Sequence, residues 1–369
     1  MHQKHPPLSR PDTGHYGRTE FALVGTTCER IERLMQEWTA ELSPTYRCLT
    51  VTGEHEDPEV PVTLRYGHKL FCSDRHGWNE YDDRLLGAEY DLVLVNGNHY
   101  PARRQIVFVD SAKAGTLERR REQLTDVYAI VHVSGEPAVP EWLQTHIRKQ
   151  HQPPLMTTLS MLHTLREGLR RELEQRVPRL QALVLAGGQS TRMGTDKSKL
   201  VYQDGKTEVQ RLADLCHGLH LPVSISVRQA APQAQQQGCP LIPDRFMGMG
   251  PMGAICSAFL TAPDTAWLVL ACDLPLLDAR VIEKLVANRA PSRAATAIRG
   301  PESKWPEPLV AIYEPRAYRR LLDFLSMGYA CPRKMLINSD TKVIPLESAE
   351  PLTNANTPEE RERVRQLLA

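Results

Sequence analysis

The stretch LVLAGGQSTRMGTDK, residues 183–197, constrains the fold more than any other part of this chain. An apolar segment with the length of a buried strand runs into the glycine pair Gly187 and Gly188, and a polar loop with Arg192 and Lys197 follows. Glycines let backbone N–H groups approach a phosphate, and the two cations complement its charge. The spacing matches neither the Walker loop nor the dinucleotide-binding glycine loop. The stretch predicts a strand followed by a loop that can wrap a triphosphate; the alternative is a glycine turn that only joins a strand to a helix.

The composition is that of a soluble globular protein and argues against several classes of function. Of the 369 residues, 41% are hydrophobic and 24% are charged. The net charge of +1 argues neither for nor against nucleic acid, but no dense basic run marks a face that would bind it. No apolar run approaches the roughly 18 residues that span a bilayer, and the polar N-terminus lacks the apolar core of a secretory signal. The eight cysteines contain no Cys-x-x-Cys pair, which disfavours a disulfide framework or a zinc site. We expect a cytoplasmic protein that binds neither nucleic acid nor membrane.

The length of the chain predicts two domains. After a flexible arm of residues 1–19, apolar runs that alternate with helical segments predict an α/β domain over residues 20–152. A helix is expected at 29–42, and strands are expected at 21–25, 47–51, 90–95, 105–109 and 128–133. Pro153-Pro154 ends this domain, and an amphipathic helix within residues 153–178 is predicted to link it to the next one.

The second domain is expected to span residues 179–369. Its predicted strands lie at 182–185, 223–227, 240–242, 267–271, 294–298 and 309–313. With helices between them, these strands predict an open, twisted, mostly parallel sheet of the Rossmann-like kind, which binds ligands at the carboxyl ends of its strands. The glycine-rich loop follows the first of these strands, where such a site belongs.

Two carboxylates of the second domain are candidates for binding a nucleotide or a metal. Asp273 ends a buried strand in the sequence CDLP, and a carboxylate at the carboxyl edge of a sheet can bind Mg²⁺, although an Asp there can also cap a helix. Asp244 precedes the turn GPMGA, residues 250–254, which can contact a nucleoside or simply start a helix.

Three later segments carry polar side chains that could face a second substrate. Glu307 and Pro308 come directly before the last predicted strand, and Arg333 with Lys334 stand beside a predicted helix start. The two cations suit a phosphate, or they form an exposed helix face. The final segment is LTNANTPEE, residues 352–360, whose asparagines can approach metal and phosphates, while its Thr-Pro pair also makes a good helix start.

In this order the five segments resemble those of the MobA-type molybdenum cofactor guanylyltransferases, from about residue 180 to the C-terminus. The loop fits the family pattern Leu-Ala-Gly-Gly-x-Ser-x-Arg-Met-Gly-x-Asp-Lys. The turn at residues 250–254 resembles the family's Gly-Pro-Leu-Ala-Gly turn but departs from it at Ala254, where the second glycine is often found. The resemblance implies a Rossmann-like nucleotidyltransferase fold and the following roles: Lys197, Arg192 and Asp273 in catalysis; Leu185, Ala186, Gly187, Gly188, Lys197, Asp244 and Asp273 in nucleotide binding; Glu307, Pro308, Arg333, Lys334 and Asn354 in acceptor binding; Asp273 and Asn356 as metal ligands.

The reaction implied by this resemblance is Mg²⁺-dependent transfer of GMP from GTP to the terminal phosphate of molybdopterin, with release of pyrophosphate. It needs no nucleophilic side chain, because the acceptor phosphate itself attacks. A molybdoenzyme or a cofactor-delivery protein is the expected partner. The alternatives are a CTP-using relative, a sugar-1-phosphate nucleotidyltransferase, or a non-catalytic scaffold in molybdenum cofactor delivery. The loop of CTP-using relatives looks like Leu-Ala-Ala-Gly, and this chain has Gly187 in place of the second alanine.

The first domain carries a loop, VGTTCERIE at residues 24–32, in the position of a P-loop. Arg30, Ile31 and Glu32 occupy positions at which a working loop needs glycine, lysine and Ser/Thr, so we expect no binding of nucleoside triphosphates. Residues 90–99 resemble a strand of the MobB family, with Asn96 in place of its acidic residue. We expect a degenerate, MobB-like α/β domain with a P-loop-like fold, whose role is docking, acceptor binding or dimerisation.

Overall fold

A computed structural model of the chain describes residues 14–53, 62–66, 69–73, 79–133, 138–186, 205–229, 235–236, 238–355 and 358–368. Backbone contacts divide the chain into two units, Met1–Arg176 and Val177–Ala369. Each unit is built around a sheet with parallel strands and with helices between them, as the apolar runs predict.

The first unit contains a six-stranded sheet in which neighbouring strands are parallel. Its described strands are β1 (Thr19–Val24), β2 (Cys48–Val51), β3 (Val62–Tyr66), β4 (Lys69–Ser73), β5 (Leu92–Asn96), β6 (Arg104–Val109), β7 (Val127–His132) and β8 (Leu155–Thr158). The order in the sheet is β2-β5-β1-β6-β7-β8, while β3 and β4 form a separate antiparallel pair. The described helices are α1 (Cys28–Leu42), α2 (Glu80–Gly87), α3 (Ala114–Arg119), α4 (Glu141–Ile147) and α5 (Leu162–Gln175).

Helix α1 forms because its apolar residues recur with the helical period. Thr27 caps its first turn by accepting a hydrogen bond from the Arg30 N–H, and the side chains on one face are buried against the sheet. That face consists of Ile31, Leu34, Met35, Trp38 and Leu42. The predicted helix and all predicted strands of this unit are present, with ends shifted by one or two residues.

The segment that was expected to connect two domains belongs to the first unit instead, which corrects the predicted boundaries. Strand β8 pairs with β7 at the edge of the sheet, and Leu165, Leu169 and Leu173 of α5 are buried in the same core as Phe21 and Trp38. The amphipathic pattern that predicted a connecting helix reflects this packing on the sheet. Residues 155–158 are a short strand, whose exposed Leu155 and Met156 gave no alternating pattern to recognise it by.

The second unit contains an eight-stranded sheet in the order β11-β12-β10-β9-β13-β15-β14-β16. The strands are β9 (Leu180–Leu185), β10 (Val223–Val227), β11 (Gln235–Gln236), β12 (Cys239–Pro243), β13 (Ala266–Ala271), β14 (Ala295–Arg299), β15 (Val310–Tyr313) and β16 (Thr341–Pro345). The described helices are α6 (Glu208–Gly218), α7 (Gly250–Thr261), α8 (Ala279–Ala287), α9 (Ala317–Ser326), α10 (Pro332–Ile337) and α11 (Pro358–Leu368). Every predicted strand of this unit is present, and β11 and β16 are additions.

Both faces of this sheet are covered, which explains the continuous apolar runs of its strands. In β9, Ala182 and Val184 pack with α6 and α8, whereas Leu183 and Leu185 pack on the opposite face with α7 and α9. Strand β15 runs antiparallel to both of its neighbours, β13 and β14. The residues before β15 therefore lie at the edge of the sheet where β9, β13 and β14 end.

In the described parts of the chain, the helices are too short or too polar to cross a membrane.

We expect Leu169→Ala to destabilise the first unit by about 2–5 kcal/mol, since the side chain is fully buried in its core. Amide hydrogen exchange followed by mass spectrometry should then show faster exchange in β1. Glu167→Ala, an exposed position on the same helix, is the control and should leave exchange unchanged. Equal exchange of β1 in wild type and Leu169→Ala would mean that α5 contributes nothing to this core.

Candidate active site

The carboxyl edge of the second sheet gathers several of the predicted site residues. Leu185 is the last residue of β9 and lies between Ser226 of β10 and Ala271 of β13. The Ala186 N–H donates to the Ser226 carbonyl at 3.0 Å, and the Cys272 thiol donates to the Leu185 carbonyl at 3.2 Å. The start of the glycine-rich loop is thus held at the centre of this edge. Gly187, Gly188, Arg192 and Lys197 lie outside the described residues.

Asp273 and the Asn-x-Asn segment meet at the same edge. Asp273 follows β13 directly and is partly exposed. Its backbone carbonyl accepts a hydrogen bond of 3.0 Å from the N–H of Ala355, a buried residue whose neighbour Asn354 is exposed. Two motifs that are distant in sequence are therefore joined through the backbone. Asn356, the other predicted metal ligand, lies outside the described residues.

Glu307 is held by the loop that leads into β15. Its N–H donates to the Ile298 carbonyl at 2.8 Å, its Oε1 accepts from the Leu309 N–H at 3.3 Å, and its Oε2 accepts from Arg333 at 3.0 Å. Burial raises the pKa of Glu307 above its ordinary value, and the negative charge of Asp273 adds to the increase; Arg333 and the Leu309 N–H oppose it. Glu307 and Asp273 are thus close enough to interact electrostatically.

The two predicted acceptor cations are engaged by the protein itself. Arg333 donates from Nε to the Pro306 carbonyl at 3.2 Å as well as to Glu307, so it holds the loop before β15 in place. The Lys334 ammonium lies 4.5 Å from the centre of the Tyr329 ring, a cation–π contact. Both side chains belong to exposed residues of α10. Their contact with an acceptor phosphate stays a prediction.

Pro308 is held in place by a hydrogen bond from a side chain of the hydrophobic core. Its carbonyl accepts a hydrogen bond of 2.9 Å from the hydroxyl of Tyr313, which is fully buried and whose pKa is raised well above its ordinary value by that burial. The sequence analysis missed Tyr313. A tyrosine inside an otherwise apolar strand is the signal, because a buried hydroxyl requires a partner.

Asp244 organises the turn between β12 and α7. Its Oδ1 accepts from the Phe246 N–H at 2.9 Å and lies 3.1 Å from the Ser257 hydroxyl, which the sequence analysis also missed. Gly253 is required here, because a Cβ atom would lie 2.4 Å from the Phe246 carbonyl oxygen. Asp244 therefore has a structural role in this turn, and its contact with a nucleoside stays a prediction. Since β12 lies three strands from β13, about 14 Å separates their ends.

Asp273 is the predicted metal ligand that the structure describes at this edge. Among the residues that the structure describes, no group of three or more His, Cys, Asp or Glu side chains could hold a metal. Mg²⁺ commonly binds to proteins through one or two carboxylates together with substrate phosphates, so the predicted role of Asp273 as a metal ligand does not require such a group.

In the first unit, polar side chains of the P-loop-like segment are paired with one another. Arg30 forms an ion pair of 2.8 Å with Asp110 and donates to the Thr26 hydroxyl at 2.9 Å. Glu32 accepts from the Asn96 amide at 3.2 Å. These contacts pair the polar groups of this segment with one another, and the expected lack of nucleotide binding by this loop stays a prediction.

The fold and this edge define a nucleotidyltransferase domain. Residues 182–342 match the family model of the MobA-like NTP transferase domain. The "Probable molybdenum cofactor guanylyltransferase" of Nostoc sp. is 31% identical over 188 residues, which are 49% of this chain and 88% of that protein. The chain belongs to the molybdenum cofactor guanylyltransferase family.

Two further relatives differ in how much they share with the chain. A "Molybdenum cofactor biosynthesis bifunctional protein" of Synechocystis sp. is 34% identical over 186 residues, 49% of this chain, and the chain spans about half of its length, 52%. The crystal structure of molybdopterin-guanine dinucleotide biosynthesis protein A from Archaeoglobus fulgidus has a TM-score of 0.43 at 21% identity and covers 51% of this chain and 98% of its own. All of these matches cover about half of the chain, so the resemblance of the first unit to MobB stays a prediction.

We expect Glu307→Gln to flatten the pH dependence of stability. Because its pKa is raised in the folded chain, Glu307 contributes stability at low pH that is lost as pH rises from the ordinary carboxyl range through the raised value. Glutamine does not titrate, so the variant should lose less stability over that interval, measured by thermal unfolding between about pH 4 and 8. Glu302→Gln, at an exposed glutamate nearby, is the control. Identical pH slopes for wild type and Glu307→Gln would contradict this.

We expect photolabelling with an azido analogue of GTP to modify peptides of the second unit and none from residues 14–176. The ion pair of Arg30 with Asp110 and the contact of Glu32 with Asn96 leave the first loop unsuited to phosphates. Peptide mass spectrometry locates the label, and excess unlabelled GTP is the competition control. A competed label on the segment around Thr26 would mean that this loop still binds nucleotide.

Proposed function

We propose that the chain transfers GMP from GTP to the terminal phosphate of molybdopterin and releases pyrophosphate. The observation that carries this proposal is the hydrogen bond from the Ala355 N–H to the Asp273 carbonyl, which joins the segments that contain Asp273 and Asn354 at the edge of the sheet where β9 ends. Its relatives named molybdenum cofactor guanylyltransferase support the choice of substrates.

The order of the strands divides the edge into two halves. The side of β12, β10 and β9, with Asp244 and the glycine-rich loop, would take the nucleotide, and the side of β15 and β14, with Glu307 and Pro308, would take the acceptor. Asp273 follows β13 between these halves. The acceptor phosphate and the α-phosphorus of the nucleotide would therefore meet at Asp273, and holding the two reactants in line is the main catalytic task.

The residues of this edge fit a magnesium ion. Asp273 and Asn356 would hold it together with phosphate oxygens, and when bound it would neutralise charge on the triphosphate. Arg192 and Lys197 would supply further positive charge to the phosphates. Glu307, fixed by Arg333 and by the Leu309 N–H, would hold its loop against the acceptor.

We expect Asp273→Ala to lower Mg²⁺-dependent pyrophosphate release from GTP and molybdopterin by at least about 100-fold, because it removes the carboxylate that is proposed to hold the magnesium ion at the reacting phosphates. The substitution keeps the Asp273 backbone carbonyl, which accepts the hydrogen bond from Ala355, so only the carboxylate is lost and the two segments stay joined. Release from each of the four nucleoside triphosphates is measured. Asp264→Ala, at an exposed aspartate before the opposite end of β13, is the matched control and should keep wild-type activity.

The remaining outcomes separate the alternative functions. Release with CTP would retain the mechanism and reassign the base. Release only when a sugar 1-phosphate is the acceptor would reassign the second substrate. No release from folded protein with any of these substrates would favour a non-catalytic scaffold in cofactor delivery.

The first unit is proposed to serve docking, acceptor binding or dimerisation, with a molybdoenzyme or delivery protein as a candidate partner. The cytoplasmic location expected from the sequence stays a prediction that cell fractionation would test.

A further inference from the structure

Arg299 ends strand β14 at the edge that carries the candidate active site, and no role has been assigned to it so far. Ala297 of β14 and Val269 of β13 both pair with Ala311 of β15, on its two sides. Two residues further along, Arg299 and Ala271 therefore lie on either side of Leu309, whose carbonyl accepts from the Ala271 N–H. Two strand spacings, about 10 Å, separate them.

The side chain of Arg299 lies on the face of the sheet that carries α10. Ala295 and Ala297 pack in the core that includes Met335 and Leu336 of α10, whereas Ile298 packs on the opposite face. Since side chains alternate along a strand, Arg299 belongs to the face of Ala297. This is also the face of Trp267 and Val269 in the strand that leads to Asp273.

The guanidinium of Arg299 is incompletely satisfied. Its Nε is buried and has no hydrogen-bond partner among the described residues. The carboxylate of Glu307, which lies in the adjacent loop, is already engaged by Arg333 and by the Leu309 N–H. A buried donor without a partner is unfavourable, and a guanidinium matches the geometry of a phosphate, which can accept two parallel hydrogen bonds.

We propose that Arg299 binds the terminal phosphate monoester of the acceptor. This inference rests on the proposed function, and it assigns to Arg299 the charge recognition that the sequence analysis assigned to Arg333 and Lys334. Arg333 holds the loop that contains Glu307, and Lys334 lies over the Tyr329 ring, so both cations already have partners within the protein. Arg299 would hold the attacking phosphate on the β14 side of Asp273.

The test compares binding of molybdopterin with binding of its dephosphorylated form. Fluorescence titration gives the Kd of each for wild type, Arg299→Gln and Arg299→Lys. We expect Arg299→Gln to weaken molybdopterin binding by about 10- to 100-fold, as for loss of a charge-assisted hydrogen bond, and Arg299→Lys to weaken it less. The Kd of the dephosphorylated form and the Kd of GTP should stay unchanged.

Arg293→Gln is the matched control, because Arg293 precedes the same strand at its opposite end and forms an exposed ion pair with Asp340. Thermal unfolding verifies that each variant is folded. If Arg299→Gln does not fold, the two Kd values are compared for Arg299→Lys instead. Equal weakening for both forms of the acceptor, or no weakening, would overturn the inference. A larger loss for GTP than for molybdopterin would also overturn it. A wild-type protein that binds GTP but not molybdopterin would overturn the proposed function and this inference with it.

Discussion

The antiparallel direction of β15 is the constraint on which the rest of the candidate site depends. In a wholly parallel sheet, the loop before each strand would lie at the edge opposite to the ligand. Because β15 runs against β13 and β14, its leading residues, Glu307 and Pro308, reach the edge where those strands end. A single reversed strand thus brings a second group of polar side chains to the same edge at which β9 and β13 end.

Much of this architecture could be predicted from the sequence, because the central strands of a covered parallel sheet are apolar throughout. Among the strands that were missed, β16 and β8 are ones for which this reason fails. Strand β16 has partly exposed residues along most of its length, and β8 has one buried residue among exposed ones. In α5, the apolar stripe correctly predicted a helix, but a stripe does not say which surface it packs on, and so the domain boundary was misplaced.

For the candidate site, the motifs identified individual side chains but not the contacts between them. Arg333 was predicted to contact an acceptor, and its guanidinium also binds Glu307 and the Pro306 carbonyl, which no motif indicates. Asp244 was expected to face a nucleoside, yet one of its oxygens is used by its own turn. Arg299 was passed over because it follows the predicted strand by one residue and belongs to no motif. Such pairings depend on register and on crossings of the chain, which a local pattern does not contain.

The hydrogen bond between the buried Tyr313 hydroxyl and the Pro308 carbonyl ties the loop before β15, the proposed acceptor side of the site, to the hydrophobic core. A loop anchored in this way has little conformational entropy left to lose when a ligand arrives, and preorganisation of this kind favours affinity. The same anchor makes the loop a poor hinge. A ligand that binds on this side of the edge would therefore meet a surface whose shape is already set by the core.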